Sequence, residues 1–187
     1  MNKYFLRKLD KLALTYLIMN IPSVFTQNKD NRLKEVIMVI PQNYFYFLAL
    51  HFKLSTIWYS TQLVELFAYD SPVVLQNHSV SQTVVSYNFH NLFSNQRFFI
   101  FTWNSTLGNS GLKSVSSLFA NSSWLEREAS EMSGVIFEGK EDLRNLLLTY
   151  GDSSSPLRKS VPSVGFKEIY YDINNDLLVQ TPVTLQI

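Results

Sequence analysis

The densest run of ionisable side chains in this sequence is Glu126-Arg127-Glu128-Ala129-Ser130-Glu131. On a helix, Glu128 and Glu131 stand at i, i+3 and share a face, where they could act as a general acid and base. That chemistry also needs a pocket, opposed geometry and pKa values driven apart, and the sequence supplies none of these. Arg127 and Glu131 fall at i, i+4 in the less favourable order, worth at most about 0.2–0.5 kcal/mol as a surface pair. Trp124, Leu125, Met132 and Val135 crowd these charges. Apolar groups packed this closely around paired charges suit a helix at a contact between subunits, where ion pairs fix register.

Other chemistries find little support. Cysteine is absent, which removes disulfides, thiolate clusters, Cys-based zinc sites and a Cys nucleophile together. His51, His78 and His90 fit no common local metal motif, so no metal ligand is assigned. Glycines at 108, 111, 134, 139, 151 and 165 are too dispersed for a dinucleotide fingerprint or a P-loop. No serine sits in a Gly-flanked nucleophile elbow. Sixteen basic and fifteen acidic residues leave a net charge of +1, with no footprint for nucleic acid. Catalytic, cofactor-binding and metal-binding residues are therefore all expected to be absent. Charged residues make up only 17%, against about 25% in a typical soluble domain.

The elements that position the cluster follow from periodicity. A chain of 187 residues suits one domain. Phe5, Leu9, Leu12 and Tyr16 share one helical face, so residues 1–22 are expected to form an amphipathic helix ending near Pro22. Attachment to a membrane surface is the alternative for that segment. The longest apolar stretch, Val36–Leu50, is broken by Pro41, Gln42 and Asn43, which argues against a membrane span. Val36–Ile40 reads as a buried strand, Asn43–Lys53 as a buried helix, and Leu63–Ala68 as a strand closing at Asp70-Ser71-Pro72. In Thr83–Phe89, Val85, Tyr87 and Phe89 alternate. In Arg97–Trp103, Phe98, Ile100 and Thr102 face one way and Phe99, Phe101 and Trp103 the other. Asn91–Gln96 supplies the loop between them.

Residues 106–117 read as a Ser- and Gly-rich loop entering a short helix. Ser123 and Glu126 have capping-box spacing, and the helix they start should stop at Gly134. Asp142–Leu148 reads as a short helix, Gly151–Gly165 as a surface segment, and Phe166–Asp172 with Leu177–Val183 as a hairpin around Asn174-Asn175. Arg144, Arg158 and Lys159 lack local acceptors, so they read either as solvated charges or as a docking arm. The sequons at Asn77, Asn104 and Asn121 read as chance matches in an Asn- and Ser-rich chain. The expected division is a helix over 1–22, a core over 23–135 and an arm over 136–187. Mixed elements without βαβ alternation predict an α+β fold with a mostly antiparallel sheet.

Several ordered blocks carry a family resemblance. Trp124-Leu125-Glu126-Arg127-Glu128 is followed by Glu131-Met132, Gly134, Phe137-Glu138-Gly139 and Asp142-Leu143-Arg144. Tyr150-Gly151, Pro156-Leu157-Arg158-Lys159, Pro162 and Gly165-Phe166 come next, in the same order. This pattern resembles the mitochondrial NADH dehydrogenase subunit 9 family, which has a bacterial counterpart in the NADH:quinone oxidoreductase. The sequence departs from that family at Ser130 and Ser133, where aromatics are usual, at Glu131 for Asp, and at Lys140-Glu141 for His-Pro.

The resemblance implies a non-catalytic structural subunit of respiratory complex I, in the quinone-proximal part of the peripheral arm. The complex passes electrons from NADH to ubiquinone and couples this to proton pumping. The implied location is the matrix side of the mitochondrial inner membrane. The implied partners are the large forty-nine-kilodalton-type subunit and the subunit that carries the terminal iron–sulfur cluster. Iron–sulfur clusters, FMN and ubiquinone would belong to those neighbours, with no cofactor held by this chain. The same resemblance marks the signature residues of these blocks, from Trp124 to Pro162, as an interface. Low charge agrees with permanent partners, whose contact cores are depleted in charge. A stand-alone interaction adaptor of the same fold is the alternative.

Overall fold

A computed structural model describes residues 25–27, 35–56, 58, 61–75, 78–104, 111–151 and 154–184. The helix expected over residues 1–22 and the sequon at Asn77 lie outside them. The chain is α+β, as its pattern predicts. Strands β1 (Phe25–Gln27) and β2 (Glu35–Val39) precede helix α1 (Gln42–Leu54). Strands β3 (Thr61–Leu75), β4 (His78–Asn91) and β5 (Gln96–Asn104) follow, completing a five-stranded sheet in the order β1-β2-β5-β4-β3. Only the β2–β5 pairing in this sheet is parallel.

Register explains the core. Met38, Ile100, Tyr87 and Leu66 fall in one row across four strands, and Val36, Phe98, Phe89 and Leu63 in the next. All eight are buried. Leu63 and Leu66 are three apart, yet both face inward, because the β3–β4 register shifts between Leu63 and Glu65. Helix α1 covers this face with Phe45, Leu48, Ala49 and Phe52, the i, i+3, i+4, i+7 stripe of an amphipathic helix. Phe45 lies 4.0 Å from Tyr87, centroid to centroid, and Phe52 sits 5.3 Å from Phe89 and 5.2 Å from Phe98. The opposite face carries Phe99, Phe101 and Trp103, which are half-buried.

Strand β3 does not end at the expected turn. It runs through Asp70-Ser71-Pro72 to Leu75, with Pro72 opposite Ser81. Proline is tolerated there because β3 is the sheet's edge, where one row of backbone N–H groups needs no partner. Helix α2 (Ser122–Ser133) packs along this edge strand, and its Ala129 joins the core. Strands β6 (Leu112–Lys113) and β7 (Phe137–Glu138) pair in parallel on either side of α2. Phe137 and Lys140 are buried, so the chain stays within the core to residue 140. Beyond it, β8 (Lys167–Asp172) and β9 (Leu177–Pro182) form the expected terminal hairpin. Among the described residues no helix is long and apolar enough to cross a membrane.

Candidate functional site

The carboxylates of α2 go to different places. Glu126 turns inward and is fully buried. It accepts from the Ser114 hydroxyl at 2.6 Å, the Val115 N–H at 2.8 Å and Lys140 Nζ at 3.1 Å. Lys140 also donates to the Ser123 carbonyl at 2.7 Å. The expected capping box is therefore absent. The N-cap is Asn121, without a side-chain capping bond, and its amide donates instead to Leu63 O at 2.6 Å. Three donors from outside the helix satisfy Glu126, and its ion pair with Lys140 is desolvated on both sides.

Arg127 and Glu131, one turn apart, divide a loop between them. Arg127 donates to the carbonyls of Arg144 and Asn145 at 2.8 and 3.1 Å, and reaches Asp142 at 3.4 Å. Its guanidinium also lies over the Trp124 ring. Glu131 accepts the backbone N–H groups of Leu146, Leu147 and Leu148 at 2.9, 3.0 and 2.5 Å. The helix expected over Asp142–Leu148 does not form, because its amides turn to Glu131 rather than to carbonyls four residues back. Desolvation works against the Glu131 charge, but the three backbone bonds and the Arg127 cation hold its pKa below the ordinary value. A general acid needs the opposite shift. The bidentate Arg144 guanidinium, at 3.0 and 2.9 Å, and its own backbone bond hold Asp142 well below the usual carboxylate range. Glu128 points to solvent. The cleft between α2 and this loop measures about 40 Å³, far below the ~300–1,000 Å³ of small-molecule sites.

The C-terminus of α2 is closed by the arm. Gly134 adopts φ +68°, and its N–H bonds to Ser130 O. Arg158 donates to Ser133 O at 3.1 Å and Gly134 O at 2.9 Å, while Leu157 N–H reaches Met132 O at 2.9 Å. A Cβ at Gly134 would stand 2.5 Å from Arg158 Nη2, so the glycine makes room for the arginine as well as for the turn. Ser133 donates to Ala68 O, and Lys159 N–H reaches Asp70, whose other oxygen accepts from Thr83. Arg144 and Arg158 thus have acceptors within the chain, which corrects their reading as unpaired donors. Side chains absent from the expected set also matter here. Lys140, Ser114 and Asp70 are distant in sequence from the groups they hold.

The remaining residues of the pattern divide by exposure. Phe137 is buried, and Glu138 bonds Gly111 N–H at 2.7 Å. Gly139 and Gly151 take positive φ in turns. Trp124, Leu143, Tyr150, Pro156, Leu157, Lys159 and Pro162 are exposed.

The family described as the 30 kDa subunit of respiratory-chain NADH dehydrogenase matches residues 37–167. The chain belongs to that family. It is similar to NADH-ubiquinone oxidoreductase subunit 9 of Acanthamoeba castellanii, 31% identical over 84% of this chain and 76% of that protein. The subunit 9 proteins of Dictyostelium discoideum and Dictyostelium citrinum are 37% and 31% identical over 53% and 71% of this chain. This chain spans 46% and 62% of their respective lengths. Two solved structures share the fold. A trypsin-resistant fragment of Nqo5 is 22% identical, with TM-score 0.56 over 72% of this chain and 99% of the fragment. A chain of an archaeal membrane-bound sulfane sulfur reductase is 15% identical, with TM-score 0.59 over 81% of this chain and 84% of that chain.

Proposed function

We propose that this 30 kDa-family chain is a structural and assembly subunit of the quinone-proximal peripheral arm of respiratory complex I. In that reading it supports electron transfer from NADH to ubiquinone, coupled to proton pumping, without carrying a redox centre. It lies on the matrix side of the mitochondrial inner membrane. Its neighbours include the large forty-nine-kilodalton-type subunit and the subunit that carries the terminal iron–sulfur cluster. FMN, the iron–sulfur clusters and ubiquinone belong to such neighbours.

One observation carries the reading. Glu126, Arg127 and Glu131 of α2 are held by groups of the chain itself and Glu128 is turned to solvent, while the large apolar groups beside them face outward. Trp124, Leu143 and Leu157 are each more than three-fifths exposed, and Tyr150 is 78% exposed. Loops that hold their own polar groups and present apolar ones are prepared for a protein contact. A small-molecule enzyme site would converge such groups on a pocket, and the cleft beside α2 holds only about 40 Å³.

Native electrophoresis tests the proposal. The tagged full chain, expressed in cells lacking their own copy, should migrate with a high-mass band that stains for NADH oxidation. Migration as a smaller, inactive species would favour the adaptor reading and count against complex I.

A further inference from the structure

The hairpin β8–β9 is apolar on both faces. Ile169, Tyr171 and Leu178 share one face, and Tyr170, Leu177 and Val179 the other. All but Val179 are more than half exposed. Ile169 and Gln180 border an open groove of about 1020 Å³, whose far side is the loop around Tyr150, Pro156 and Arg158. Strands apolar on both faces are characteristic of sheets covered on both sides. A two-stranded hairpin in water is marginal by itself. The family match ends at residue 167, where this hairpin begins.

The backbone distinguishes its two edges. Val183 N–H bonds Phe166 O across the ladder, which makes 166 and 183 a hydrogen-bonded pair. Alternation then sends the N–H and C=O groups of Lys167, Ile169 and Tyr171 outward from β8, and those of Leu178, Gln180 and Pro182 outward from β9. Pro182 has no N–H, so the β9 edge lacks one donor. The β8 edge has all of its donors. Among the described residues, no backbone bond from outside the hairpin reaches Lys167, Ile169 or Tyr171. Lys167 is outweighed by Glu168, Asp172 and Asp176, so the hairpin is acidic.

We propose that the outer edge of β8 receives a strand from a neighbouring subunit of the same assembly, with apolar side chains along the hairpin and a basic rim. The partner rests on the subunit reading above. Main-chain bonds at Lys167, Ile169 and Tyr171 supply the affinity, and the exposed apolar faces with the acidic charges select the partner.

Ile169 and Gln180 face each other, and both N–H groups point outward. Proline at either position therefore spares the hairpin's own ladder, but only Ile169→Pro removes a donor from the β8 edge. The full chain carrying each substitution is expressed in cells lacking the wild-type copy, and incorporation is read on a native gel stained for NADH oxidation. Ile169→Pro should lower incorporation about tenfold or more, with Gln180→Pro within about twofold of wild type. Ile169→Val, which keeps both the donor and a branched apolar side chain, should stay close to wild type. Equal loss in both proline variants would overturn the proposal, since it would report a damaged hairpin. Retention by both would also overturn it, as would equal loss in Ile169→Pro and Ile169→Val. If light scattering finds a wild-type dimer that Ile169→Pro dissociates, the occupant is a second copy and the proposal falls. Failure of the wild-type chain to incorporate would instead sink the subunit reading, and the named partner with it.

Discussion

The sheet body and the terminal hairpin are built from the same kinds of side chain and treat them in opposite ways. In the body, Met38, Ile40, Phe45, Leu48, Phe52 and Tyr87 are fully buried. In the hairpin, Ile169, Leu177 and Leu178 are 67%, 61% and 76% exposed. Apolar area stabilises at about 25 cal/mol per Å² only when it leaves water. The body removes its area from water during folding. The hairpin keeps its area available for a second event, and the subunit reading makes that event assembly.

The largest expected effect separates these two events. Phe52 contacts Trp58, Phe89 and Phe98. Phe52→Ala should cost about 3–5 kcal/mol of stability, read by urea unfolding of the full chain. Leu178→Ala should change that stability by less than about 0.5 kcal/mol while lowering incorporation into the NADH-oxidising complex. A large loss of stability from Leu178→Ala would mean that the hairpin packs on its own body, and the contrast would fail.

Legibility from the sequence follows the same division. The alternation of Val85, Tyr87 and Phe89, the presence of helix α1 and the stop at Gly134 are local patterns with one physical outcome, and they were readable. So was the family, because its blocks are local and ordered. The sequence reading of α1 as apolar on several faces missed that Phe47 and Leu54 stay exposed. The missed features depend on distant groups. Pro72 looks like a strand terminus until β3 is known to be an edge. Glu126 looks like a capping-box residue until Ser114, Val115 and Lys140 converge on it. Asp142–Leu148 looks helical until Glu131 takes its amides. The free β8 edge is a matter of ladder parity, which composition does not encode.

A second expected effect lies within α2, whose inner and outer charges differ in kind. The Glu126–Lys140 pair is shielded from water. Lys140→Met leaves a buried carboxylate short of a cation and should cost about 3–5 kcal/mol. Adding Glu126→Gln should recover part of the loss, because the amide oxygen can still accept from Val115 and carries no charge to desolvate. Urea unfolding of the single and double variants measures both steps. A loss under about 1 kcal/mol from Lys140→Met would place the pair with surface salt bridges instead.

The outer pair should act locally and depend on pH. Glu131 is depressed below its ordinary value of 4.5 in the folded chain, so the folded state holds its proton less tightly than the unfolded state does. Its contribution is therefore complete above the unfolded pKa and is lost as pH falls through the lower folded value. Asp142, held by Arg144, shifts in the same direction and reinforces the trend. Protection of the Leu146, Leu147 and Leu148 amides, corrected for intrinsic exchange, should be steady near neutrality and fall below about pH 4. Glu131→Gln should weaken that protection at neutral pH and remove most of its acid dependence. The core amides of β4 and β5 should stay protected through the same range, since the sheet ladder and not a titrating carboxylate holds them. If the loop amides remain as protected as the core at low pH, Glu131 does not organise the loop, and the distinction between inner and outer charges on α2 disappears.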